Sequence, residues 1–381
     1  MPFSRHSIGK EEINEVVDSL KSDWITTGPK TKEFEKNFKN FIGCNHAIAV
    51  NSCTAALQVA LAAAGIKEGD EVITSPLTFV ATVEVIIHLK ATPIFVDIEK
   101  NTFNIDINKI EEKISKKTKA IIPVHYGGHP CDMDRIMQIA SDNDLIVIED
   151  AAHAIGSKYK QNLVGNIGDV TCFSFYATKN LATAEGGMIT TNNTELAEKM
   201  RILSLHGISK DAWKRYSSEG SWYYEIQDLG YKANMSDIEA SIGIHQLKKF
   251  DLMQKRRKEI AMAYTKSFKD IKEIKTPNVE SYAEHAWHLY PILINTKLLN
   301  ISRNEFIEAL KTENIGTSVH FIPIHLHPYY LNNYGFKRGD FPVTESVYDM
   351  EISLPIYPRM SDEDVRYVIN VIQKITHLHR K

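Results

Sequence analysis

The sequence predicts an α/β fold with a mostly parallel central sheet, followed by a smaller C-terminal α+β domain. Seven short apolar runs indicate the strands: HAIAV (46–50), EVIT (71–74), PIFVDI (93–98), AIIPVHY (120–126), LIVIED (145–150), VTCFSF (170–175) and GMITT (187–191). Because these runs are almost continuously apolar rather than alternating, they are typical of strands that are covered on both faces. Helical segments separate the runs, which favours an open α/β sheet.

Two of the helical segments have clear ends. TAALQVALAAAG (54–65) is rich in alanine and ends at Gly65, and FVATVEVIIHLKA (79–91) leads into Thr92 and Pro93. Glycine and proline are the residues that commonly follow the end of a helix. In a sheet of alternating strands and helices, ligands bind beyond the carboxyl ends of the strands, so we expect the functional residues at that edge.

The pattern changes after about residue 250. QKRRKEIAMAYTKSFKD (254–270) is a charged amphipathic helix, and HAWHLYPILI (285–294) has the composition of a strand. A chain of 381 residues is longer than one typical hydrophobic core requires. We therefore predict a large domain over residues 1–250 and a small domain over residues 251–381.

Two helices of the small domain begin at recognisable caps. Ser302 with Glu305, and Ser361 with Asp364, have the spacing of capping boxes. The first pair precedes a helix through EFIEALKTEN and the second precedes DVRYVINVIQKI. Both segments are therefore predicted to be helical.

Charge and cysteine content exclude several protein classes. The formal net charge is −3 and no basic stripe is visible, so nucleic acid is not an expected partner. The four cysteines, Cys44, Cys53, Cys131 and Cys172, have neither the spacing of a zinc site nor the density of a disulfide framework. We expect reduced, buried or incidental thiols and no metal.

The sequence also shows no targeting or membrane segment. The N-terminus, MPFSRHSIGKEE, lacks the charged and then apolar pattern of a signal peptide. No apolar run approaches the roughly 20 residues that a membrane span needs. We expect a cytoplasmic protein with no membrane partner.

A lysine and an aspartate mark the expected functional edge of the sheet. Lys179 lies in SFYATKNLATAEGG, just after the strand VTCFSF, and Asp150 ends the strand LIVIED. Alone, Lys179 is also compatible with a solvated rim, and Asp150 with a cap of the next helix that carries His153 on its first turn. A carboxylate and an amine that are buried at the same edge need a shared partner, because their desolvation is costly.

A pyridine ring that carries an aldehyde supplies such a partner. Lysine condenses with the aldehyde as a Schiff base, and an aspartate at the ring nitrogen keeps that nitrogen protonated. The segment NSCTAALQVALAAAG (51–65) adds a helix start whose free amides suit a phosphate, although a plain capped helix has the same pattern. Ser174 has a hydroxyl available for the same phosphate. Along the chain, the helix start that suits a phosphate comes first, Asp150 second and Lys179 third.

Further motifs occur in the same order as in a known family. They are NSCTAAL, GDEVITSPLTFVATVE, PIFVDI, VIEDAAHAIGS, FSFYATKN, EGGMITT and GYKANMSDIEASIG. This set resembles the DegT/DnrJ/EryC1/StrS family of sugar aminotransferases, which have the fold-type I architecture of pyridoxal phosphate (PLP)-dependent transferases. The resemblance covers nearly the whole chain. DWITTGPK, HAIAV, AIIPVHYGGHP and HAWHLY are similar to the branch that acts on nucleotide-linked 4-keto sugars.

The resemblance implies roles for the residues around the cofactor ring. Lys179 is the catalytic residue: it forms the covalent internal aldimine with PLP and then shuttles a proton between cofactor and substrate. Asp150 pairs with the pyridine nitrogen, and His153 lies near the phenolic oxygen of the ring. Related proteins that lack this lysine are dehydratases, and Lys179 is present here.

It also implies the contacts of the phosphate and of the ring face. Thr54 and Ala55 donate backbone N–H groups to the phosphate, and Ser174 donates its hydroxyl. Phe79 stacks on the cofactor. Asn234, in GYKAN, reaches the phosphate of the neighbouring subunit, so a homodimer with shared active sites is expected.

The N-terminal segment is expected to contact the substrate. In DWITTGPK, Trp24, Thr26 and Thr27 supply an aromatic ring and two hydroxyls before a turn. The resemblance places them at the substrate pocket. An alternative is that Trp24 only anchors the N-terminal helix.

The segment SVHFIPIHLHPYY (318–330) contains three histidines but lacks the spacing of known zinc motifs. The resemblance makes His320 a substrate contact and Tyr330 a second candidate. In enzymes that form UDP-4-amino-4-deoxy-L-arabinose, an arginine follows the His-Phe pair, where this sequence has Ile322. This difference favours the relatives that act on hexoses, such as those that form UDP-4-amino-4,6-dideoxy-N-acetyl-altrosamine or GDP-perosamine.

The resemblance implies a transaminase reaction in two halves. L-glutamate leaves as 2-oxoglutarate and converts the cofactor to pyridoxamine phosphate (PMP), which then aminates the keto sugar. Two half-reactions in one site predict ping-pong kinetics. The sequence favours a UDP-linked 4-keto-6-deoxy sugar. It leaves open the nucleotide, the C4 or C3 position and the axial or equatorial product.

Four alternatives are also compatible with the sequence. The first two are a 4-keto-pentose and a 3-keto sugar as substrate. The third is a non-catalytic PLP-binding sensor, which the complete catalytic set disfavours. The fourth is an amino-acid transaminase, which would need a carboxylate-binding arginine such as Arg303 or Arg359.

Overall fold

The computed structural model describes residues 1–209 and 223–381. The strands in these ranges are β1 His46–Val50, β2 Glu71–Thr74, β3 Thr92–Phe95, β4 Thr118–Ile121, β5 Ile146–Asp150, β6 Lys158–Tyr159, β7 Asn162–Leu163, β8 Val170–Ser174, β9 Gly187–Thr191, β10 Ile274–Lys275, β11 Ala283–Glu284, β12 Tyr290–Ile294 and β13 Glu351–Leu354. The helices are α1 Lys10–Lys21, α2 Pro29–Ile42, α3 Cys53–Ala63, α4 Ala81–His88, α5 Met133–Asp142, α6 Thr194–Leu203, α7 Asp237–Lys248, α8 Phe250–Phe268, α9 Arg303–Thr312, α10 Pro328–Tyr334, α11 Pro342–Met350 and α12 Asp362–Leu378.

The central sheet has seven strands in the order β1-β9-β8-β5-β4-β2-β3. The pairs from β8 through β5, β4 and β2 to β3 are parallel, whereas β9 runs antiparallel to β8 and β1. The predicted mostly parallel α/β sheet is therefore confirmed. Its strands are buried on nearly every residue, in agreement with their continuous apolar composition.

Several predicted strands are shorter than their apolar runs, and two of them have a local cause. β4 ends at Ile121, and Pro123 follows, a residue that cannot donate a ladder hydrogen bond. The run 285–294 forms a strand only from Tyr290, because Trp287 has a positive φ of 51° and its N–H donates to His285 Nδ1 at 2.8 Å. The apolar composition of both runs extends beyond the residues that can pair.

A second, three-stranded antiparallel sheet has the order β10-β12-β13. Side chains of α8, α9 and α12 pack with it in one hydrophobic cluster that includes Tyr264, Phe306 and Val368. Phe250, at the start of α8, packs instead with the cluster of the central sheet. We propose the predicted domain boundary near residue 250, because α8 leads from one cluster to the other.

The predicted caps of α9 and α12 are confirmed as capping boxes. Ser302 accepts from the amide of Glu305, and Ser361 from that of Asp364. No helix within residues 1–209 and 223–381 has the length and apolarity needed to cross a membrane. All four cysteines are free and buried.

Candidate active site

The carboxyl ends of β5 and β8 bring the two predicted key residues to one edge of the central sheet. These strands are parallel, with Asp150 opposite Cys172. Lys179 follows β8 in a turn in which its backbone N–H donates to the carbonyl of Tyr176 at 2.9 Å. The arrangement is the one expected for ligand binding beyond the ends of parallel strands.

Asp150 is buried and held at both carboxylate oxygens. Its Oδ2 accepts from the hydroxyl of Thr82 at 2.7 Å, and its Oδ1 accepts from the backbone N–H of Ala152 at 3.1 Å. The hydroxyls of Thr82 and Thr78 are in turn 2.7 Å apart. A carboxylate accepts up to about four hydrogen bonds, so Asp150 has a fixed orientation and spare acceptor capacity.

Lys179 carries an amine that is reactive near neutral pH. Burial lowers the pKa of Lys179 to about 8, although the nearby Cys53 thiol and Asp150 carboxylate act in the opposite direction. Within the described residues, its Nζ has no hydrogen-bonding partner. A neutral, unpartnered amine is the form of lysine that attacks a carbonyl.

The start of α3 lies against the same strand ends. Ser52 is its N-cap, and a side chain at Gly187 would meet the Ser52 carbonyl group and the Cys53 amide at 2.6–2.8 Å, so only glycine fits there. Gly187 is the register partner of Ser174. This close approach brings the amide end of α3 next to the hydroxyl of Ser174.

The amides at the start of α3 differ in availability. The Ala55 N–H donates to the hydroxyl of Ser52 at 3.0 Å, whereas the Cys53 and Thr54 N–H groups have no partner in the described part of the chain. The binding of a phosphate by the Thr54 N–H stays a prediction with which this geometry is compatible. For Ala55 the same role requires Ser52 to release its N–H.

His153 is buried and has a defined tautomer. Its Nδ1 accepts from the backbone N–H of Gly127 at 3.2 Å, so a neutral ring carries its proton on Nε2. Burial, followed by the charges of Lys179 and His320, places the pKa of His153 well below its usual value. His153 is therefore a neutral Nε2–H donor, which suits the predicted position near a phenolic oxygen.

Two residues beside His153 were not predicted from the sequence. The ring of His288 lies 4.4 Å from that of His153, and His288 Nδ1 lies 3.2 Å from Asn180 Oδ1. Asn180 uses its amide to donate to the carbonyl of Ala286 at 2.7 Å, which makes its Oδ1 the acceptor for His288. The motifs TKN and HAWHLY contain both residues, but only the fold shows that they meet.

These groups fit PLP. Lys179 supplies the free amine, Asp150 an oriented carboxylate, His153 an Nε2–H donor, and Thr54 and Ser174 donors for a phosphate. Bound there, PLP supplies an electron sink for the removal of a carbon-bound proton. The described residues contain no group of three or more His, Cys, Asp or Glu side chains that could hold a metal ion.

The predicted substrate segment forms internal contacts around Thr27. The indole N–H of Trp24 donates to the Thr27 carbonyl at 2.8 Å, and the Thr27 hydroxyl donates to the Met235 carbonyl at 2.5 Å. Asn234 donates to the Thr27 hydroxyl at 2.5 Å and pairs with Val50 in a short bridge. Trp24 therefore does stabilise its own loop, and the contact of Asn234 with a neighbouring subunit remains a prediction.

Asp237, at the start of α7, fixes the same segment from the other side. Its Oδ1 accepts from the N–H groups of Gly28 at 2.7 Å and Thr31 at 2.9 Å, and its Oδ2 from that of Lys30 at 3.0 Å. Its own N–H donates to the carbonyl of Thr26 at 3.1 Å. Asp237 was not predicted from the sequence, because nothing in its local pattern points to residues about 200 positions earlier.

Phe79 and Tyr330 lie in different environments. Phe79 is 59% exposed, and its ring lies 6.0 Å from that of Phe321, which in turn stacks on His153 at 5.8 Å. Tyr330 is only 2% exposed and packs in a hydrophobic cluster with Val83. The structure thus links Phe79 to the site through Phe321, whereas the contacts of Tyr330 among the described residues lie in its own hydrophobic cluster.

His320 is bound to β13 of the second sheet. Its Nδ1 lies 2.8 Å from the hydroxyl of Ser353, and its backbone N–H donates to Glu351 at 2.8 Å. Burial, followed by the charge of Lys179, lowers the pKa of His320 to about 4. A neutral His320 therefore faces the same site as Lys179 and His153.

Comparisons with known proteins agree with this geometry. The sequence profile described as the DegT/DnrJ/EryC1/StrS aminotransferase family matches residues 6–373. The chain is 61% identical to the uncharacterized protein MJ1066 of Methanocaldococcus jannaschii over all of this chain and 98% of that one. It is 56% identical to the spore coat polysaccharide biosynthesis protein SpsC of Bacillus subtilis over 98% and 97% of the two chains.

A solved structure shares the complete fold. The putative sugar aminotransferase Spr1654 from Streptococcus pneumoniae superposes in its PMP form with a TM-score of 0.93, 37% identity and 99% coverage of both chains. Its PLP form superposes with a TM-score of 0.92. The fold found here is therefore one that holds both cofactor forms.

Proposed function

The chain belongs to the DegT/DnrJ/EryC1/StrS aminotransferase family, and on that premise we propose that it aminates a nucleotide-linked sugar. It is a PLP-dependent aminotransferase. In our proposal, the amino group passes from L-glutamate to the C4 keto group of a UDP-linked 4-keto-6-deoxy sugar. A pentose or a 3-keto sugar remains the nearest alternative.

One observation carries the proposal. The amine of Lys179, with a pKa lowered to about 8, lies at the same sheet edge as the oriented carboxylate of Asp150. Lys179 holds the cofactor between turnovers and then moves the proton at the reacting carbon. Asp150 keeps the cofactor ring in its electron-accepting form, and His153 donates to it from Nε2.

The character of the remaining site supports an uncharged sugar as amino acceptor. Burial lowers the pKa values of His153, His288 and His320, so these side chains are neutral hydrogen-bonding groups at physiological pH. Such groups suit the hydroxyl and keto oxygens of a sugar. The names of SpsC, in polysaccharide biosynthesis, and Spr1654, as a putative sugar aminotransferase, point to the same class.

The two arginines considered for an amino-acid transaminase have other surroundings. Arg303 donates to the backbone carbonyl of Glu351 at 3.3 Å and lies over the ring of Tyr348 at 5.2 Å. Arg359 is exposed. Ile322, where a pentose-type enzyme is expected to carry an arginine, is 44% exposed and adds no charge. The two arginines therefore do not support an amino acid as acceptor, and Ile322 favours a hexose over a pentose.

We also propose a homodimer that works in the cytoplasm. Ile13, Val17 and Leu20 form an exposed apolar row on α1, at 56%, 41% and 56% exposure. Phe79 and Tyr176, beside the site, are 59% and 49% exposed. Apolar surfaces of this kind are typical of protein interfaces. Four free thiols suit a reducing compartment.

A titration of the cofactor-loaded protein, followed by visible absorbance, tests the function. Nucleotide-linked 4-amino and 3-amino sugars are added one at a time, with L-glutamate as the reference amino donor. Conversion of the PLP spectrum to the PMP spectrum by one UDP-linked 4-amino sugar is the expected result. A response to 3-amino sugars only would move the reaction to C3, and a response to amino acids only would contradict the sugar assignment.

The variant Lys179→Ala completes the test. It removes the covalent link and the proton carrier, so turnover is expected to fall at least about a hundredfold. The matched control is Lys90→Ala, because the side chain of Lys90 is 73% exposed and pairs with the equally exposed Glu68. Turnover of Lys179→Ala at the wild-type rate would refute the proposed mechanism.

A further inference from the structure

A buried hydrogen-bonded chain joins Glu351 to His320 through Ser353. Glu351 and Ser353 are two residues apart in β13, so their side chains lie on the same face of the strand. The Ser353 hydroxyl lies 2.5 Å from Glu351 Oε1 and 2.8 Å from His320 Nδ1. Glu351 Oε2 accepts from the backbone N–H of His320 at 2.8 Å, so the three residues form a closed ring of contacts.

The far nitrogen of His320 is free. Within the described residues, Nε2 of His320 has no hydrogen-bonding partner, and the ring is partly exposed. The positive charge of Lys179 is close enough to depress the pKa of His320 and of His153. Among the three hydrogen-bonded side chains, Nε2 of His320 is therefore the atom that is available to a substrate at Lys179.

The two side chains that end this hydrogen-bonded chain, Glu351 and His320, are both neutral at pH 7. Burial raises the pKa of Glu351 to about 8, although Ser353, the His320 amide and the charge of Arg303 act against it. The phenol of Tyr126 donates to the carbonyl of His320 and is itself fully protonated, because burial raises its pKa. A neutral histidine carries one ring proton, so its tautomer decides what Nε2 does.

The protonation of Glu351 determines that tautomer. With Oε2 occupied by the backbone N–H of His320, the proton of a neutral Glu351 lies on Oε1 and is donated to Ser353. Ser353 then donates to Nδ1 of His320, and the ring proton lies on Nε2. When Glu351 is ionised, Ser353 donates to Oε1 instead, Nδ1 must carry the ring proton, and Nε2 becomes an acceptor.

We propose that Glu351, acting through Ser353, is a positioning residue that makes His320 present an Nε2–H donor to an oxygen of the sugar substrate. This inference rests on the proposed function, because it assigns His320 to the amino acceptor. The keto oxygen of the sugar accepts hydrogen bonds and donates none, so only the Nε2–H tautomer can bind that oxygen. One proton on Glu351 thus decides whether His320 donates a hydrogen bond to the keto oxygen.

The tautomer is measured directly by NMR on protein with ¹⁵N-labelled histidine. The variant Glu351→Gln is isosteric and keeps a donor at the Oε1 position and an acceptor at Oε2, so it imitates the neutral acid. His320→Gln identifies the signals of His320. In the wild type, we expect Nε2–H at pH 7 and Nδ1–H at pH 9.5, and in Glu351→Gln we expect Nε2–H at both. A wild-type tautomer that does not change with pH, or a variant that changes with it, would overturn the proposal.

Kinetics gives an independent readout. Lys179 titrates over the same pH range in both proteins, so the readout is the ratio of kcat/KM for the keto sugar in the wild type to that in Glu351→Gln. As Glu351 ionises with a pKa of about 8, this ratio is expected to fall about tenfold from pH 7 to pH 9, while kcat/KM for L-glutamate changes equally in both proteins. The control Glu308→Gln, at an exposed carboxylate of α9, should follow the wild type. Equal pH profiles for the sugar in wild type and Glu351→Gln would refute the proposal.

The two experiments separate the two hypotheses. If no nucleotide-linked sugar is turned over, the proposed function fails, yet the NMR experiment still decides whether Glu351 sets the tautomer. If sugars are turned over and the tautomer does not respond, only the positioning role fails. Ser353→Ala removes the hydroxyl that links the side chains of Glu351 and His320. In this variant, the tautomer of His320 is expected to be independent of the protonation of Glu351.

Discussion

Thr82 Oγ1 lies 2.7 Å from Asp150 Oδ2 and joins helix α4 to the carboxylate at the end of β5. Thr78 continues the contact at 2.7 Å from Thr82. Because the Ala152 amide holds the other oxygen, the carboxylate plane cannot rotate without breaking a hydrogen bond. The aspartate is therefore set in position before any cofactor arrives, which is the condition for efficient electrostatic catalysis.

Loss of either partner in this contact is expected to slow turnover to a different extent. Asp150→Asn removes the negative charge at the cofactor ring, so kcat should fall at least about a hundredfold while the cofactor remains bound. Thr82→Val leaves the charge but frees its orientation, so kcat should fall about tenfold. Both effects are measured by steady-state turnover and cofactor titration. Thr265→Val, which breaks a remote 2.7 Å contact with Tyr290, should keep wild-type turnover. Equal rates for Thr82→Val and wild type would contradict the role of Thr82.

Cofactor capture by the apoprotein is expected to depend on pH through Lys179. The pKa of Lys179 is lowered to about 8 by burial, so its neutral fraction rises about tenfold between pH 7 and pH 9. The initial rate of PLP capture, followed by stopped-flow absorbance in an amine-free buffer, should rise in parallel. A lysine with an ordinary pKa of about 10.4 would show no midpoint below pH 9. A midpoint near pH 10.4 would mean that Lys179 is not desolvated.

The central sheet and the order of its site residues were predictable because their signals are local. Continuous apolar runs gave the strands, and Asp150 and Ser174 are the last residues of β5 and β8. The capping boxes of α9 and α12 depend only on residues three positions apart. In each case the physical cause lies within a few residues, so the sequence contains it.

The residues that support the site were not predictable, because their partners are remote in sequence. His288 contacts Asn180, which lies 108 positions earlier in the sequence. Asp237 accepts hydrogen bonds from Gly28 and Thr31, which lie 209 and 206 positions earlier. His320 acquires its neighbours Glu351 and Ser353 only when β13 joins the second sheet. No periodicity or cap signals such contacts.

The buried Glu351 is expected to make stability depend on pH. Its pKa is raised from 4.5 to about 8 in the folded protein, so between these values the unfolded chain loses a proton that the folded chain keeps. Folding stability from this group is present below pH 4.5 and is lost as the pH rises to 8. Glu351→Gln lacks the effect, so its stability relative to wild type should increase by up to about 4 kcal/mol from pH 5 to pH 8. Urea unfolding at both pH values measures this, and a constant difference would contradict a raised pKa.

Asp237 is expected to affect both stability and sugar binding. Asp237→Ala removes the acceptor of the Gly28, Lys30 and Thr31 amides, so the protein should lose about 2 kcal/mol of stability. The loop that contains Thr26 and Thr27 then loses its fixed position, and KM for the nucleotide sugar should rise while KM for L-glutamate is unchanged. Thermal unfolding and steady-state kinetics measure the two effects.

The matched control for Asp237 is Ser361→Ala. Ser361 also accepts from a helix-start amide, but within its own helix α12, so the variant should lose about 1 kcal/mol of stability. Because α12 packs in the second hydrophobic cluster, neither KM value is expected to change. A rise in the sugar KM for both variants would assign the effect to general destabilisation rather than to the loop.

Hybrid dimers test whether Asn234 completes the site of a neighbouring subunit. Asn234 lies beside Thr27 and Val50 of its own chain, on the side of the molecule where β1 ends and α3 begins. Lys179→Ala and Asn234→Ala protomers with different affinity tags are co-expressed, and the hybrid is purified. If Asn234 acts across the dimer, one of the two sites in the hybrid has an intact lysine and an intact asparagine. The hybrid should then have about half of the wild-type activity, since a two-fold dimer has two equivalent sites.

The hybrid experiment also defines the outcome that would contradict a site shared between subunits. If Asn234 acts on the cofactor of its own chain, both sites of the hybrid lack one required residue, and activity should stay at the level of the two parent variants. A hybrid of Lys179→Ala and Asp150→Asn is the control, because Lys179 and Asp150 meet within one chain and neither of its sites is complete. Activity in the first hybrid together with inactivity in the second would therefore establish both a dimer and a site that is shared through Asn234.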